Sequence, residues 1–311
     1  MQLVRGLHPR LVDSRGSSVA IGNFDGVHLG HQALVSEARA RAQASGATAT
    51  VLTFDPHPRE YLDPGGAPPR LMRVTEKCLA LAGYGVERLI VMRFDERLRQ
   101  LAPAAFIEQV LVDGLRARHV VVGEGFRFGC GRAGSVATLA AAAPAAGFEL
   151  VTVPAVEVDG ARVSSTRVRA ALAAGDLAST ERLLGRRFVL CGRVIAGARL
   201  GRELGFATAN IRLHRARLPL GGIFAVQVRG ADGGARDGVA SLGTRPTVNG
   251  VEPLLEAHLF DFAGDLYGRR LSVEFVAKLR DEEKFPSLEA LTEQMHRDAA
   301  RAREILATRA A

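Results

Sequence analysis

The stretch Ile21-Gly22-Asn23-Phe24-Asp25-Gly26-Val27-His28-Leu29-Gly30-His31 joins a short apolar run, Ser18 to Gly22, to a segment of helical periodicity that Gly46 ends. A strand that feeds a glycine-bearing turn and then opens a helix is the local architecture of a phosphate site. The first amides of the helix and its positive end both attract anions. Gly22 and Gly26 permit the tight turn. His28 and His31, three residues apart, project from one face of the first helical turn. Two imidazoles there can donate to phosphate oxygens as charge builds in a transition state. Two histidines that only cap a helix would give the same pattern. Metal ligation is the weaker reading, since no third ligand has suitable local spacing.

Outward from this stretch the same alternation continues. Ala47 to Phe54 reads as strand, Glu76 to Ala82 as helix, Arg88 to Phe94 as strand and Pro103 to Gly114 as helix. His119 to Gly123, Ser135 to Ala146 and Phe148 to Val153 then read as strand, helix and strand. Strands alternating with helices of this length imply a parallel sheet covered on both faces. Two short helical pieces follow, Thr166 to Ala174 and Leu177 to Leu184, and then the character changes. Phe188 to Ile195, Ile223 to Arg229, Gly238 to Leu242, Leu254 to Phe260 and Leu271 to Leu279 are short strands separated by glycine-rich turns. They predict a small antiparallel barrel. A closing helix is expected after Pro286, with Leu288, Leu291, Met295, Ala299 and Ala302 on its packing stripe. The length of 311 residues exceeds what one core ordinarily supports, so two domains are expected, 1–183 and 184–311.

Charge narrows the partners. The net charge of +8 and a sequence pI near 10.2 invite a nucleic-acid reading, because clustered cations displace counterions from phosphates. However, 38 of the 41 cations are arginine, Lys77, Lys278 and Lys284 being the exceptions, and they are spread along the chain. The one local excess is Arg182 to Arg217, nine arginines against the single acid Glu203. Cys78, Cys130 and Cys191 lie more than fifty residues apart, which indicates neither a disulfide framework nor a zinc site and points to a reducing cytosol. Met1 to Arg10 has no apolar signal core, and Val136 to Val158, interrupted by Pro144, Glu149 and Pro154, makes a poor membrane span.

Three further segments carry chemistry. Val163-Ser164-Ser165-Thr166-Arg167-Val168-Arg169 places hydroxyls at a helix start with arginines behind, suited to the far end of a triphosphate. Ordinary N-capping by Ser164 to Thr166 is the competing reading. Between Gly192 and Asn210, glycines let backbone amides approach phosphates and arginines neutralise them, so Gly197, Arg199 and Gly201 become candidate nucleotide contacts. Thr208 and Asn210, two apart, would face one way on an extended backbone and offer neutral oxygens to a Mg²⁺ already bound by ATP phosphates. On the strand Leu254 to Asp261, Glu256 shares a face with His258, and a carboxylate in the barrel mouth could take the proton of an alcohol attacking a γ-phosphate. A polar turn for the first pair and a solvated strand face for the second are the alternatives.

Four motifs in order resemble the HxGH nucleotidylyltransferases, and within them the FAD synthetase module of bacterial bifunctional riboflavin kinase/FAD synthetases. They are residues 22–31 above, Thr53-Phe54-Asp55-Pro56-His57-Pro58, Val121-Val122-Gly123-Glu124-Gly125-Phe126-Arg127-Phe128-Gly129, and Ser164 to Arg169. The second half resembles the riboflavin kinase module, continuing through Leu242 to Thr247, Asp265 to Gly268 and Leu279 to Phe285. The implied fold is α/β: an N-terminal Rossmann-like domain with a parallel sheet, plus a C-terminal antiparallel β-barrel with a closing helix.

The resemblance implies two reactions that use ATP and Mg²⁺, with riboflavin converted to FMN in the C-terminal half and FMN to FAD with release of pyrophosphate in the N-terminal half. It implies nucleotide contacts from Gly22, Asn23, Phe24, Asp25, Gly26, His28, His31, Ser164, Ser165, Thr166 and Arg169, with both histidines catalytic. Thr208 and Asn210 take the metal role and Glu256 the base role. Glu124, Phe126, Arg280 and Phe285 are candidate flavin contacts, although an ion pair with Asp281 or Glu282 and core packing account equally well for Arg280 and Phe285. Two departures stand out. Ala207 replaces the family's usual proline before Thr208. Gly125 occupies a place where the family usually has a carboxylate or amide, so the second reading is a riboflavin kinase with a weakened adenylyl module. A flavin-responsive nucleic-acid-binding protein is the third. The leading reading carries no nucleic-acid or membrane partner, a cytoplasmic location, and a monomer or weak oligomer.

Overall fold

The structure is a computed structural model and describes residues 1–7, 14–196, 206–247 and 250–308. Gly197, Arg199 and Gly201 therefore lie outside the described residues. The chain divides into two compact units, the first comprising Met1–Pro68 and Met72–Ser165, the second Pro69–Leu71 and Thr166–Ala311.

The first unit follows the expected alternation: β1 (Gln2–Arg5), β2 (Ser17–Ile21), α1 (Leu29–Ser45), β3 (Thr48–Asp55), α2 (Pro58–Leu62), α3 (Val74–Gly83) and β4 (Arg88–Arg93). It continues with α4 (Glu96–Arg99), α5 (Pro103–Phe106), a π-helix (Ile107–Gly114), β5 (Ala117–Gly123), the hairpin β6 (Arg127–Phe128) and β7 (Gly134–Ser135), α6 (Val136–Ala146), β8 (Glu149–Val153) and the hairpin β9 (Glu157–Val158) and β10 (Ala161–Arg162). Strands β1, β4, β3, β2, β5 and β8 form one six-stranded sheet in that order, every pair parallel.

Both faces of the sheet are covered. Val19 and Ile21 of β2 point into a cluster with Leu111, Val120 and Leu139, while Ala20 points into the opposite cluster with Leu34, Val35 and Leu81. This explains why the strand reads as an unbroken apolar run. Gly46 ends α1 in the left-handed conformation at φ 69, as the sequence predicts. Two expectations change. The helix predicted over Pro103 to Gly114 is one α-turn continuing as π-helix, a change that the side-chain pattern does not register. β1 was not anticipated, because only Val4 of its four residues is buried.

In the second unit, α7 (Ser165–Ala173, beginning at the unit boundary) and α8 (Leu177–Leu184) precede β11 (Val189–Ile195), β12 (Thr208–Arg212), β13 (Gly222–Arg229), β14 (Ala235–Thr247), β15 (Gly250–Leu259) and β16 (Arg270–Arg280). The strands close into a barrel in the order β11, β12, β15, β14, β13, β16, all antiparallel. Its interior holds Leu190, Ile211, Phe224, Val226, Leu242, Leu255, Val273 and Phe275, each at most 1% exposed.

The closing helix α9 (Leu288–Ala307) lies on the outer side of the barrel, where Ala302 and Leu306 pack with Ala225, Phe260 and Val276. The predicted stripe holds at Ala299 and Ala302 but not at its start, since Leu288 is 53% exposed. Asp298, 6% exposed, anchors the helix by accepting hydrogen bonds from Arg280 Nε (3.0 and 3.1 Å) and Nη2 (2.8 Å).

Candidate active sites

The order of the parallel sheet locates the first site. From β2 the chain builds outward through β3 and β4, then returns to add β5 and β8 on the other side. Ligands of such sheets bind beyond the carboxyl ends of the strands where the direction reverses, here β2 and β5. The loop 22–28 leaves β2 at that point and the turn 124–126 leaves β5 beside it.

The first loop is held on all sides. Gly22 N donates to Leu52 O (3.1 Å), Thr53 Oγ1 and Lys77 Nζ both donate to Asn23 O (3.0 and 2.7 Å), and Met72 N donates to Asp25 Oδ1 (2.9 Å). Ser165 Oγ donates to Asp25 O at 2.8 Å, joining two motifs 140 residues apart. Phe24 and Val27 adopt φ 47 and φ 45, costly for residues with a Cβ and most of all for a β-branched one. Backbone strain of this kind runs to roughly 1–3 kcal/mol per residue and persists only where the surroundings enforce it. Phe24 and Asp25 are 0% and 1% exposed, so their visible work is holding the loop.

His28 caps α1, with Nδ1 3.4 Å from His31 N. The two imidazoles stack at a centroid distance of 3.7 Å and 18°. Gly30 makes this possible: a Cβ there would sit 3.3 Å from Nδ1 and Cε1 of His28. Burial, then His28, then Lys77 push the His31 imidazole well below the ordinary histidine range, so it is neutral at pH 7. Its Nδ1 is buried with no hydrogen-bond partner among the described residues. An unsatisfied buried polar atom calls for an explanation, and here it belongs to a residue expected to meet phosphate.

Among the other expected contacts, Ser164 immediately precedes α7 and Thr166 is exposed in its first turn. Arg169 Nε donates to Pro69 O (2.7 Å), and both residues lie in the second unit. Glu124 and Gly125 are exposed in a turn closed by Phe126 N donating to Gly123 O (3.0 Å). Phe126 stacks on Phe128 at 5.6 Å. A Cβ at 125 would meet only the Arg162 guanidinium, at 3.6 and 4.0 Å, so nothing steric requires glycine there. A cavity of about 320 Å³ lined by Leu7, Met92, Asp95, Leu98 and Val110, among others, contains none of the expected site residues.

The second site is assembled by strand register. Thr208 on β12 lies directly opposite His258 on β15, and Asn210 directly opposite Glu256. Residues so paired share a face of the sheet. Glu256 also pairs with Ser241 on β14, giving the row Asn210, Glu256, Ser241 across three strands. Glu256 and His258 alternate with the wholly buried Leu255 and Ala257, so they face the outside of the barrel. The expected barrel mouth is thereby corrected to the outer face, because apolar side chains fill the interior. Asn210 is 8% exposed on this face.

β12 itself was not anticipated, being five residues beside an arginine-rich stretch. The carbonyl of Ala207, the residue replacing the family's usual proline, is held by His258, whose Nδ1 lies 3.0 Å from Ala207 O. A carbonyl only accepts, so Nδ1 carries the proton. Among the described residues no group of three His, Cys, Asp or Glu is placed to hold a metal ion. The hydroxyl of Thr208 and the amide of Asn210 are hard, neutral donors. They fit a Mg²⁺ held largely by substrate phosphates and water better than one caged by protein.

Arg280 and Phe285, the remaining candidate flavin contacts, have structural work. Besides Asp298, Arg280 engages Glu283 (3.3 Å) and lies 5.4 Å from the centroid of the Phe285 ring. Asp281 and Glu282 are the ion-pair partners expected from the sequence. Asp298 lies 18 residues away, on α9, and could be found only once the helix was placed.

A parallel α/β sheet carrying this loop and an antiparallel barrel carrying this row define a nucleotidyl-transfer domain joined to a flavokinase-type barrel. The FAD synthetase family model matches residues 11–167 and the riboflavin kinase family model residues 184–306. The bifunctional riboflavin kinase/FMN adenylyltransferase of Pseudomonas fluorescens is 49% identical over 308 residues, covering 99% of this chain and 98% of that protein. The protein of the same name from Escherichia coli K12 is 43% identical over 305 residues, covering 98% and 97%. A crystal structure described as a macrolide-efflux protein of Streptococcus pneumoniae superimposes with a TM-score of 0.82 at 28% identity, covering 96% and 97%. Among the described residues no helix is long and apolar enough to cross a membrane. The chain belongs to the bifunctional riboflavin kinase/FMN adenylyltransferase family.

Proposed function

We propose that the barrel phosphorylates riboflavin with ATP, and that the α/β domain then transfers the adenylyl group of a second ATP to the FMN formed, giving FAD and pyrophosphate. Family membership supports both reactions. The observation that carries the assignment of residues is the register placing Thr208 and Asn210 opposite His258 and Glu256. In the kinase step Glu256 takes the proton of the riboflavin hydroxyl as that oxygen attacks the γ-phosphorus, and ADP leaves. Thr208 and Asn210 hold the Mg²⁺ of Mg-ATP, whose charge neutralises phosphate oxygens. Gly197, Arg199 and Gly201 contact the same nucleotide.

In the adenylyl step an FMN phosphate oxygen attacks the α-phosphorus and pyrophosphate leaves, with no covalent enzyme intermediate. Gly22 to Gly26 form the cradle, His28 and His31 contact the ATP phosphates, and Ser164, Ser165, Thr166 and Arg169 serve the departing end. Catalysis is positioning and charge stabilisation. Glu124 and Phe126 face the flavin side of this reaction. Functionally the chain divides as 1–183 and 184–311, works in the cytoplasm as a monomer or weak oligomer, and takes no nucleic acid or membrane as partner.

The metal assignment has its own test. Asn210→Ala should raise the Mg²⁺ concentration for half-maximal FMN formation by about tenfold or more, leaving the requirement of adenylylation unchanged. An unaltered Mg²⁺ dependence would remove Asn210 from that role.

A further inference from the structure

Only three of the 41 cations in this chain are lysines, and one of them, Lys77, is 4% exposed. It sits in the first turn of α3, with its amide bonded to Arg73 O (2.9 Å) and its ammonium 2.7 Å from Asn23 O. Asn23 and Asp25 are thus both gripped from this one segment, Asn23 by Lys77 and Asp25 by the Met72 amide. Burying an ammonium is costly unless the charge serves an interaction. The site it approaches has a specific need. ATP brings several negative charges, and the His31 imidazole, pushed well below the ordinary histidine range, adds no charge to meet them. A compact ammonium on a flexible stem fits beneath a tight loop, whereas the planar fork of arginine demands more room.

We propose that Lys77 is a positioning residue for adenylyl transfer, whose buried ammonium pins the Asn23 peptide and supplies the fixed positive charge beneath the phosphate loop. This rests on the reading of residues 22–31 as the adenylyl-transfer site and adds to it a cation from another helix, 46 residues beyond His31 in sequence. The fixed charge also acts on His31: removing it allows that imidazole to protonate more readily, since Lys77 is one of the groups that oppose its protonation.

The test is made on the full chain, where the kinase reaction reports on the integrity of the rest of the molecule. Lys77→Met should lower kcat for FAD formation from supplied FMN by about tenfold to a hundredfold. Phosphorylation of riboflavin should be unchanged, and the NMR titration of His31 should move up toward the ordinary histidine value. Lys77→Gln, which keeps a donor for Asn23 O but loses the charge, should behave like Lys77→Met, and it serves if the methionine variant folds poorly. Lys77→Arg should retain more activity than either. Unchanged kcat overturns the proposal, and so does a lost kcat with an unmoved His31 titration, which would mark packing alone. A His28→Ala, His31→Ala chain that still makes FAD would overturn the reading of the site itself, a separate failure.

Discussion

Replacing Glu256 with glutamine is expected to stop FMN formation, lowering kcat by about a hundredfold or more, the usual range for loss of a general base. Adenylylation of supplied FMN should continue at the parental rate. Glutamine preserves the size of the side chain and its place in the strand, so the row from Asn210 through position 256 to Ser241 is left standing. Proton acceptance is lost with the carboxylate charge. Because the interior of the barrel is filled from the alternate positions Leu255 and Ala257, stability should scarcely change. A glutamine variant that phosphorylated riboflavin normally would show that the proton leaves by another route. One that lost both activities while folded would deny that the two sites are separate.

The reciprocal result is expected from His28→Ala with His31→Ala. FAD formation from FMN should fall by more than about a hundredfold to a thousandfold, the cost of a single lost transition-state donor, since two are removed together. Riboflavin phosphorylation should persist, and FMN should accumulate. The stacking of the rings at 3.7 Å and the strained backbone at Phe24 and Val27 indicate that this loop is built to hold two imidazoles in one arrangement. A double variant that still made FAD at the parental rate would remove the histidines from the reaction.

The sequence made some of this visible and concealed the rest for physical reasons. The β2 to α1 connection was legible because glycines, a helix start and two histidines fall within eleven residues, all governed by local geometry. Gly46 was legible for the same reason, since left-handed helix ends favour glycine. The barrel was legible in its turns but not in β12, where five residues offer too short an alternation. Glu256 was assigned to a barrel mouth because alternation tells which residues share a face, not which face looks inward; packing of Leu255 and Ala257 decides that.

Contacts of long range were the least accessible. Nothing near Arg280 in the sequence singles out Asp298, and nothing near Asn23 singles out Lys77. The one available signal for the latter was composition, a lysine in a chain that otherwise uses arginine. Gly125, read from the sequence as a departure from its family, lies in an exposed turn with room for a side chain. Nothing in the structure explains why glycine stands there.

The central claim is that one chain carries both reactions in succession. It is tested most directly by incubating the full chain with riboflavin and excess Mg-ATP and separating the flavins over time. FMN should appear first and decline as FAD accumulates, with one pyrophosphate released for each FAD. FMN that accumulates without FAD, even when FMN is supplied at the outset, would contradict the account.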